Sequence, residues 1–179
     1  MKRLLIALAF AAEKHRDHRR KDGTETPYIN HPIEVAALLA DLGGIGDEAI
    51  LMAALLHDTV EDTDTTFSEI REHFGSQVEL LVAEVTDDRA QTRLERWAKQ
   101  VEHASHLSHG AKLIKLADKI HNVRSIIFSP PALWSDQRKL DYISWTKQVV
   151  DLIRGTNVAL ETRYDQVYSE AMELVSADR

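Results

Sequence analysis

The amino-acid sequence predicts an all-α fold, and three observations carry that expectation. Apolar residues recur at three- and four-residue spacing along almost the whole chain. No segment shows the strict alternation of a half-buried strand. Capping residues and glycine or proline stops punctuate the pattern at intervals suited to helices.

Leu4, Leu5, Leu8, Ala11 and Ala12 line one stripe of a first helix expected to reach about His18. Met1-Lys2-Arg3 and the apolar run behind it also have the outline of a short signal peptide. The unbroken continuation into Glu13-Lys14-His15-Arg16 favours the helix. A loop from Arg19 to Pro27 follows, and Asn30 is expected to cap a helix from His31-Pro32 to about Leu42 that Gly43-Gly44 closes. A central helix spans about Asp47 to Val60, and Thr66-Phe67-Ser68-Glu69 reads as a capping box for a short helix stopped by Gly75. Further helices are expected at 77–86, 92–104 and 110–127. Pro130-Pro131 interrupts the pattern and Ser135 restarts it through Arg154. Gly155-Thr156-Asn157 turns the chain into a last helix ending near Val175. No linker or repeat divides the chain, so residues 1–179 are expected to form one domain.

Composition narrows the function. The 179 residues are 44% hydrophobic and 28% charged, ordinary for a globular protein. A net charge of −7 argues against a nucleic-acid or anionic-membrane binder, so an anionic substrate needs a local basic patch. With no cysteine there is neither a disulfide nor a thiolate site. No run approaches transmembrane length.

The chemistry concentrates in Leu51 to Thr63, where an apolar run leads into His57, Asp58, Glu61 and Asp62. If the helix continues, His57 and Glu61 share one row and Asp58 and Asp62 the next. His57 and Asp58 can then converge on an ion, with Glu61 and Asp62 one turn further, roughly 5–6 Å along, placed to hold a water or substrate. His31 stands at the start of a helix, and Asp118 is an acid on an otherwise apolar helical face. Together, His31, His57, Asp58 and Asp118 form a nitrogen and carboxylate set suited to Mn, Fe, Zn or Ni. Arg19-Arg20-Lys21 is the densest basic run, able to stack on a base and fork onto phosphate. Asn122 lies one turn after Asp118, and Arg138 and Tyr142 are four apart on a later helix. The trio His103, His106 and His109 fits a second metal site poorly, and His15, His18, His73 and His121 read as ordinary surface or core histidines. Trp97, Trp134 and Trp145 read as packing residues.

Taken in order, Arg20-Lys21-Asp22, Thr26 to Pro32, His57 to Thr63, and Lys115 to Lys119 with Asn122 resemble the hydrolase domain of the RelA/SpoT proteins. The length and Gly155-Thr156-Asn157 look most like the stand-alone small alarmone hydrolases. The resemblance implies an HD-superfamily domain of about eight to ten helices around one metal site. It implies hydrolysis of the 3′-pyrophosphate of (p)ppGpp to GDP or GTP, with one divalent ion, manganese, as cofactor. By motif match His31, His57, Asp58 and Asp118 would be the ligands, and Glu61 and Asp62 would orient or activate the water. Arg20, Lys21, Asn122, Arg138 and Tyr142 would face the nucleotide. A cytoplasmic enzyme acting on a small nucleotide, with neither nucleic acid nor membrane as partner, is the expectation. The stretch Ala90 to His109 matches nothing assignable in that family. Two rival readings remain at this level: the same chemistry on (p)ppApp or on the 2′-phosphate of NADPH, and a non-catalytic helical nucleotide-binding module.

Overall fold

The computed structural model describes residues 1–177. Helices α1 (Lys2–Lys14), α2 (Asn30–Ala40), α3 (Glu48–Leu56), α4 (Thr59–Asp62), α5 (Phe67–Phe74) and α6 (Ser76–Val85) form the first half. Then come α7 (Arg93–His103), the 3-10 turn Ala104–His106, α8 (His109–Phe128), α9 (Asp136–Leu152) and α10 (Val158–Ala177). Two isolated bridges, Arg19 with Pro27 and Asp22 with Pro131, are the extended pairings among the described residues.

Helix α8 is the axle. Buried residues such as Leu113, Ile114, Leu116, Ile120 and Val123 point to all sides of it, as in a helix surrounded by others. It packs against α2, α3, α6, α9 and α10. Helix α3 is the second buried rod, with every residue from Leu51 to Leu56 buried beneath α1, α2 and α6. Ala7 and Ala11 take α1 down onto this core, so the N-terminal apolar run is a packed helix. Helix α7 has no buried residue of its own and rests on α9. It is held by the stacked rings of Trp97 and Trp145, 4.7 Å apart, and by Trp145 Nε1 donating to the Trp97 carbonyl.

Three boundaries differ from the sequence reading. Helix α1 stops at Lys14 rather than near His18, because the Arg16 and His18 amides bond to the Glu13 and His15 carbonyls in tightened turns that carry His15 inward. Asn30 lies inside α2 as its first residue and makes no side-chain cap. The central helix does not run through to Val60: it ends at Leu56 and restarts at Thr59. His57 Nδ1 bonds to the Ala54 carbonyl and Thr59 Oγ1 donates to that of Leu56, so side chains occupy the acceptors a continuing helix would use.

The turn after α2 is tied to the start of α10. Gly43 N–H bonds back to Leu38, and the Gly43 carbonyl accepts from Asn157 Nδ2, 3.0 Å, at the start of α10. A Cβ on Gly43 would lie 2.7 Å from the Leu39 carbonyl oxygen, which is backbone and cannot move aside. Gly43→Ala is therefore expected to cost about 1–3 kcal/mol, read as a lowered urea midpoint with an unchanged slope.

Candidate metal centre and active site

The break between α3 and α4 delivers His57 and Asp58 to one point on α8. His31 arrives from the first turn of α2 and Asp118 from the middle of α8. One ligand atom each from His31, His57 and Asp118 falls within 4.8 Å of the others. His31 Nε2 lies 3.2 Å from His57 Nε2 and 3.2 Å from Asp118 Oδ1. Asp58 Oδ2 is 3.1 Å from His57 Nε2 and 3.4 Å from His31 Nε2, while His57 Nε2 is 3.9 Å from Asp118 Oδ1. Donors held about 2.1 Å from a common ion stand roughly 3.0–3.4 Å apart for octahedral to tetrahedral angles. The donor set fits a divalent metal.

Neighbouring groups hold these side chains and so aim the ligand atoms. His57 Nδ1 donates to the Ala54 carbonyl at 2.8 Å, leaving Nε2 to the centre. Tyr28 Oη donates to Asp58 Oδ2 at 2.7 Å. Asp118 accepts from Asn122 Nδ2 at 2.6 Å and from Lys119 Nζ at 3.1 Å. His31 Nδ1 meets His121 Nδ1 at 2.8 Å, and His121 Nε2 lies 3.5 Å from Glu34, which also binds Arg124. Burial, then the neighbours His31 and Arg20, push His121 down to about 3, so its ring is neutral. With its single proton on Nε2 toward Glu34, His121 accepts from His31 Nδ1 and leaves His31 Nε2 free for the ion.

The electrostatics ask for a cation. Burial works to raise Asp58 and Asp118, yet His57 and His31 hold Asp58, and Lys119 and His31 hold Asp118, well below the usual carboxylate range. Burial works to lower His57, but Asp58 and Asp118 overcome it and hold its pKa at about 9. In the ion-free protein that proton stands where a metal's charge would act.

Two cavities meet at this point. One, of about 630 Å³, is lined by Arg19, Arg20, Lys21, Asp62, Trp134 and Tyr142 among others. The other, of about 190 Å³, holds His57, Asp58, Glu61 and Asp118, with Arg96, Lys115 and Lys119 on its wall. Tyr28, His31, Asn122 and Tyr142 border both. Arg20 is aimed inward by its bond to Asn122 Oδ1, 3.1 Å, and its guanidinium sits 5.7 Å from the Tyr28 ring centre. Lys21 is exposed at the rim, where its carbonyl accepts from Ala132 N–H. Arg138 lies outside the cavity lining: it stacks 4.5 Å from the centre of Trp134, whose ring meets Tyr142 edge-on. Glu61 and Asp62, adjacent on α4 and so about 100° apart around it, face different cavities. Glu61 accepts from Asp87 N–H at 3.0 Å and from Arg96 at 3.3 Å.

Several contributors escaped the sequence reading. His121 had a usable signal, three residues after Asp118 on the same helical face. Trp134 is part of the large cavity's wall. Arg96, Trp97 and Gln100 place the unassigned stretch after Ala90 on the wall of the small cavity. His103, His106 and His109 are all exposed and contribute to no metal-ligating group among the described residues.

This arrangement has known counterparts. The HD domain family matches residues 7–141. The chain belongs to the HD-domain family. A 3′-pyrophosphohydrolase of guanosine-3′,5′-bis(diphosphate), MESH1, from Xenopus tropicalis is 53% identical over 167 residues, 93% of each chain. The MESH1 of Homo sapiens is 53% identical over the same length and share. The solved structure described as "A metazoan ortholog of SpoT hydrolyzes ppGpp and plays a role in starvation responses" superimposes with a TM-score of 0.92. It is 46% identical and covers 95% of this chain and 96% of that one. This HD domain is thus all-helical with a His/His/Asp cluster for a divalent metal, and among the described residues no helix is long and apolar enough to cross a membrane.

His121→Phe keeps the ring volume but removes the acceptor behind His31. Metal affinity, measured by competition with a chelating dye, is expected to fall about 10- to 100-fold with little change in helix content.

Proposed function

We propose that the chain hydrolyses the 3′-pyrophosphate of ppGpp and pppGpp, giving GDP or GTP and pyrophosphate, with manganese as the bound ion. The observation that carries this is the placement of His31, His57, Asp58 and Asp118 at the seam between a nucleotide-sized cavity and a small cation-walled one. Its similarity along nearly its whole length to proteins bearing that activity in their names supports the choice of substrate.

In this reading the guanosine and its 5′-phosphates occupy the large cavity. Arg20 and Lys21 offset phosphate charge there, and Trp134 and Tyr142 offer ring faces, with Arg138 bracing Trp134 from behind. Asn122 couples the two halves, joining Arg20 to the Asp118 carboxylate. His31, His57, Asp58 and Asp118 would hold a divalent ion, which would supply Lewis acidity toward a phosphate oxygen and a water.

The two acids take separate tasks. Burial raises Glu61 to about 7, against the Asp87 N–H that lowers it and with the Asp58 charge adding to the rise. A carboxylate so tuned accepts a proton from the attacking water on the small-cavity side. Asp62, also raised by burial and Asp58, lines the large cavity on the side of the ribose. It is placed to deliver a proton to the departing 3′-oxygen. The water oxygen joins phosphorus as the 3′-oxygen–phosphorus bond breaks, and the proton balance closes between the two carboxyls.

Glu61→Gln with Asp62→Asn is expected to retain one equivalent of metal while turnover falls by several orders of magnitude. Chromatographic product analysis of ppGpp, with pppApp and NADPH as comparison substrates, checks both the reaction and the base preference. Retained ppGpp turnover in that variant, or none in the manganese-loaded parent protein, would refute the assignment. The pH profile carries a sign. Glu61 works deprotonated, so kcat/KM should rise with pH along an acid limb lying below about 7, because a bound cation draws the carboxyl down from its ion-free value. Glu61→Gln should abolish that limb.

A further inference from the structure

The small cavity contains a cation that the mechanism above leaves idle. Three basic side chains reach its wall: Arg96, Lys115 and Lys119. Arg96 is paired with Glu61 and Lys119 with Asp118. Lys115 is buried, 8% exposed, and its Nζ donates to the Val85 carbonyl at 2.8 Å. Among the described residues no carboxylate makes an ion pair with it. The neighbouring acid, Asp87, is occupied by Gln100 Nε2 at 2.5 Å and supplies only distant countercharge. A buried lysine one turn from Lys119, without a carboxylate of its own, is costly unless an anion arrives to use it. Burial and the Lys119 charge both press its pKa down, the mark of an unmet cation.

Position identifies the anion. With the nucleoside in the large cavity and the scissile phosphorus at the seam, the second phosphate of a 3′-diphosphate has only the small cavity to enter. That cavity, about 190 Å³, lies below the size of drug-like sites and suits a phosphate group rather than a base. Lys115 also borders a third cavity of about 240 Å³ that shares Asp87, Arg96 and Gln100 with the small one. It therefore stands at the junction through which a released diphosphate could leave without passing the nucleoside.

We propose that Lys115 forms a diphosphate subsite: its ammonium binds the terminal phosphate of the 3′-diphosphate, selects a diphosphate over a monophosphate, and holds the pyrophosphate after cleavage. This rests on the proposed reaction for the orientation of the substrate. The lysine keeps one donor on Val85 and turns the other two to the anion.

The test uses manganese-loaded protein titrated calorimetrically with manganese pyrophosphate in excess manganese. Lys115→Met and Lys115→Gln are compared with the parent, the glutamine retaining a donor for Val85 so that a folded variant is available. Both should bind pyrophosphate about 10- to 100-fold more weakly, as for the loss of a charge-assisted contact. Guanosine 5′-diphosphate 3′-monophosphate, which lacks the terminal phosphate, should bind all three proteins within about threefold. Undetectable pyrophosphate binding by the parent, unchanged binding in the variants, or equal weakening of both ligands would overturn the subsite. Turnover of ppGpp is read separately: a parent protein that binds pyrophosphate through Lys115 yet cleaves no ppGpp would sink the reaction and leave the subsite standing.

Discussion

Two ionised carboxylates, Asp58 and Asp118, sit where helices pack, and the cost of keeping them charged there organises the surrounding structure. Each is held by several polar neighbours. Tyr28 and the histidines serve one, and Asn122, Lys119 and His31 serve the other. Each partner is positioned in turn: His57 by a carbonyl of its own helix, His31 by His121 and Glu34. Two carboxylates, Asp118 buried and Asp58 partly so, face two imidazole nitrogens and make a centre that is satisfied either by a proton on His57 or by a divalent ion. The metal chemistry follows from that choice.

The same need explains the interrupted helix. In an unbroken α-helix through Val60 the Ala54 and Leu56 carbonyls would accept from the amides of Asp58 and Val60. Instead, the side chains of His57 and Thr59 capture carbonyls of the preceding turn, and α4 begins at Thr59. Glu61 and Asp62 are adjacent on α4, about 100° apart around it, and line different cavities. Glu61 borders the small cavity and Asp62 the large one. A protein of net charge −7 can hold a highly charged nucleotide because its cations are gathered along these two cavities, from Arg20 and Lys21 at one end to Lys115 at the other.

Much of this was legible before any coordinates. Periodicity placed nearly every helix to within a few residues, because an amphipathic stripe is a local property. The ordered motifs at His31, His57-Asp58 and Asp118 pointed to the family, and His31, His57 and Asp118 do gather within coordination reach. Local hydrogen-bond competition was harder to see: the early end of α1, the absence of a cap from Asn30 and the break after Leu56 all turn on side chains competing with backbone groups. Arg138 and Tyr142 share a helical row, yet only Tyr142 borders the cavities, since Trp134 intervenes beneath the guanidinium. His121 looked like an ordinary histidine because what it touches comes from a helix ninety residues away in the chain.

The sequence by itself determined that the chain is helical and carries a nitrogen and carboxylate set within a recognisable order of motifs. Those properties lie in side-chain spacing, which three to four residues per turn convert directly into faces. Only the tertiary structure decided which cavity each acid serves, why His31 presents its Nε2, and that the α7 region walls the small cavity. Each depends on contacts between elements far apart in the chain, and packing geometry at a crossing of helices is not written in the period of any one of them.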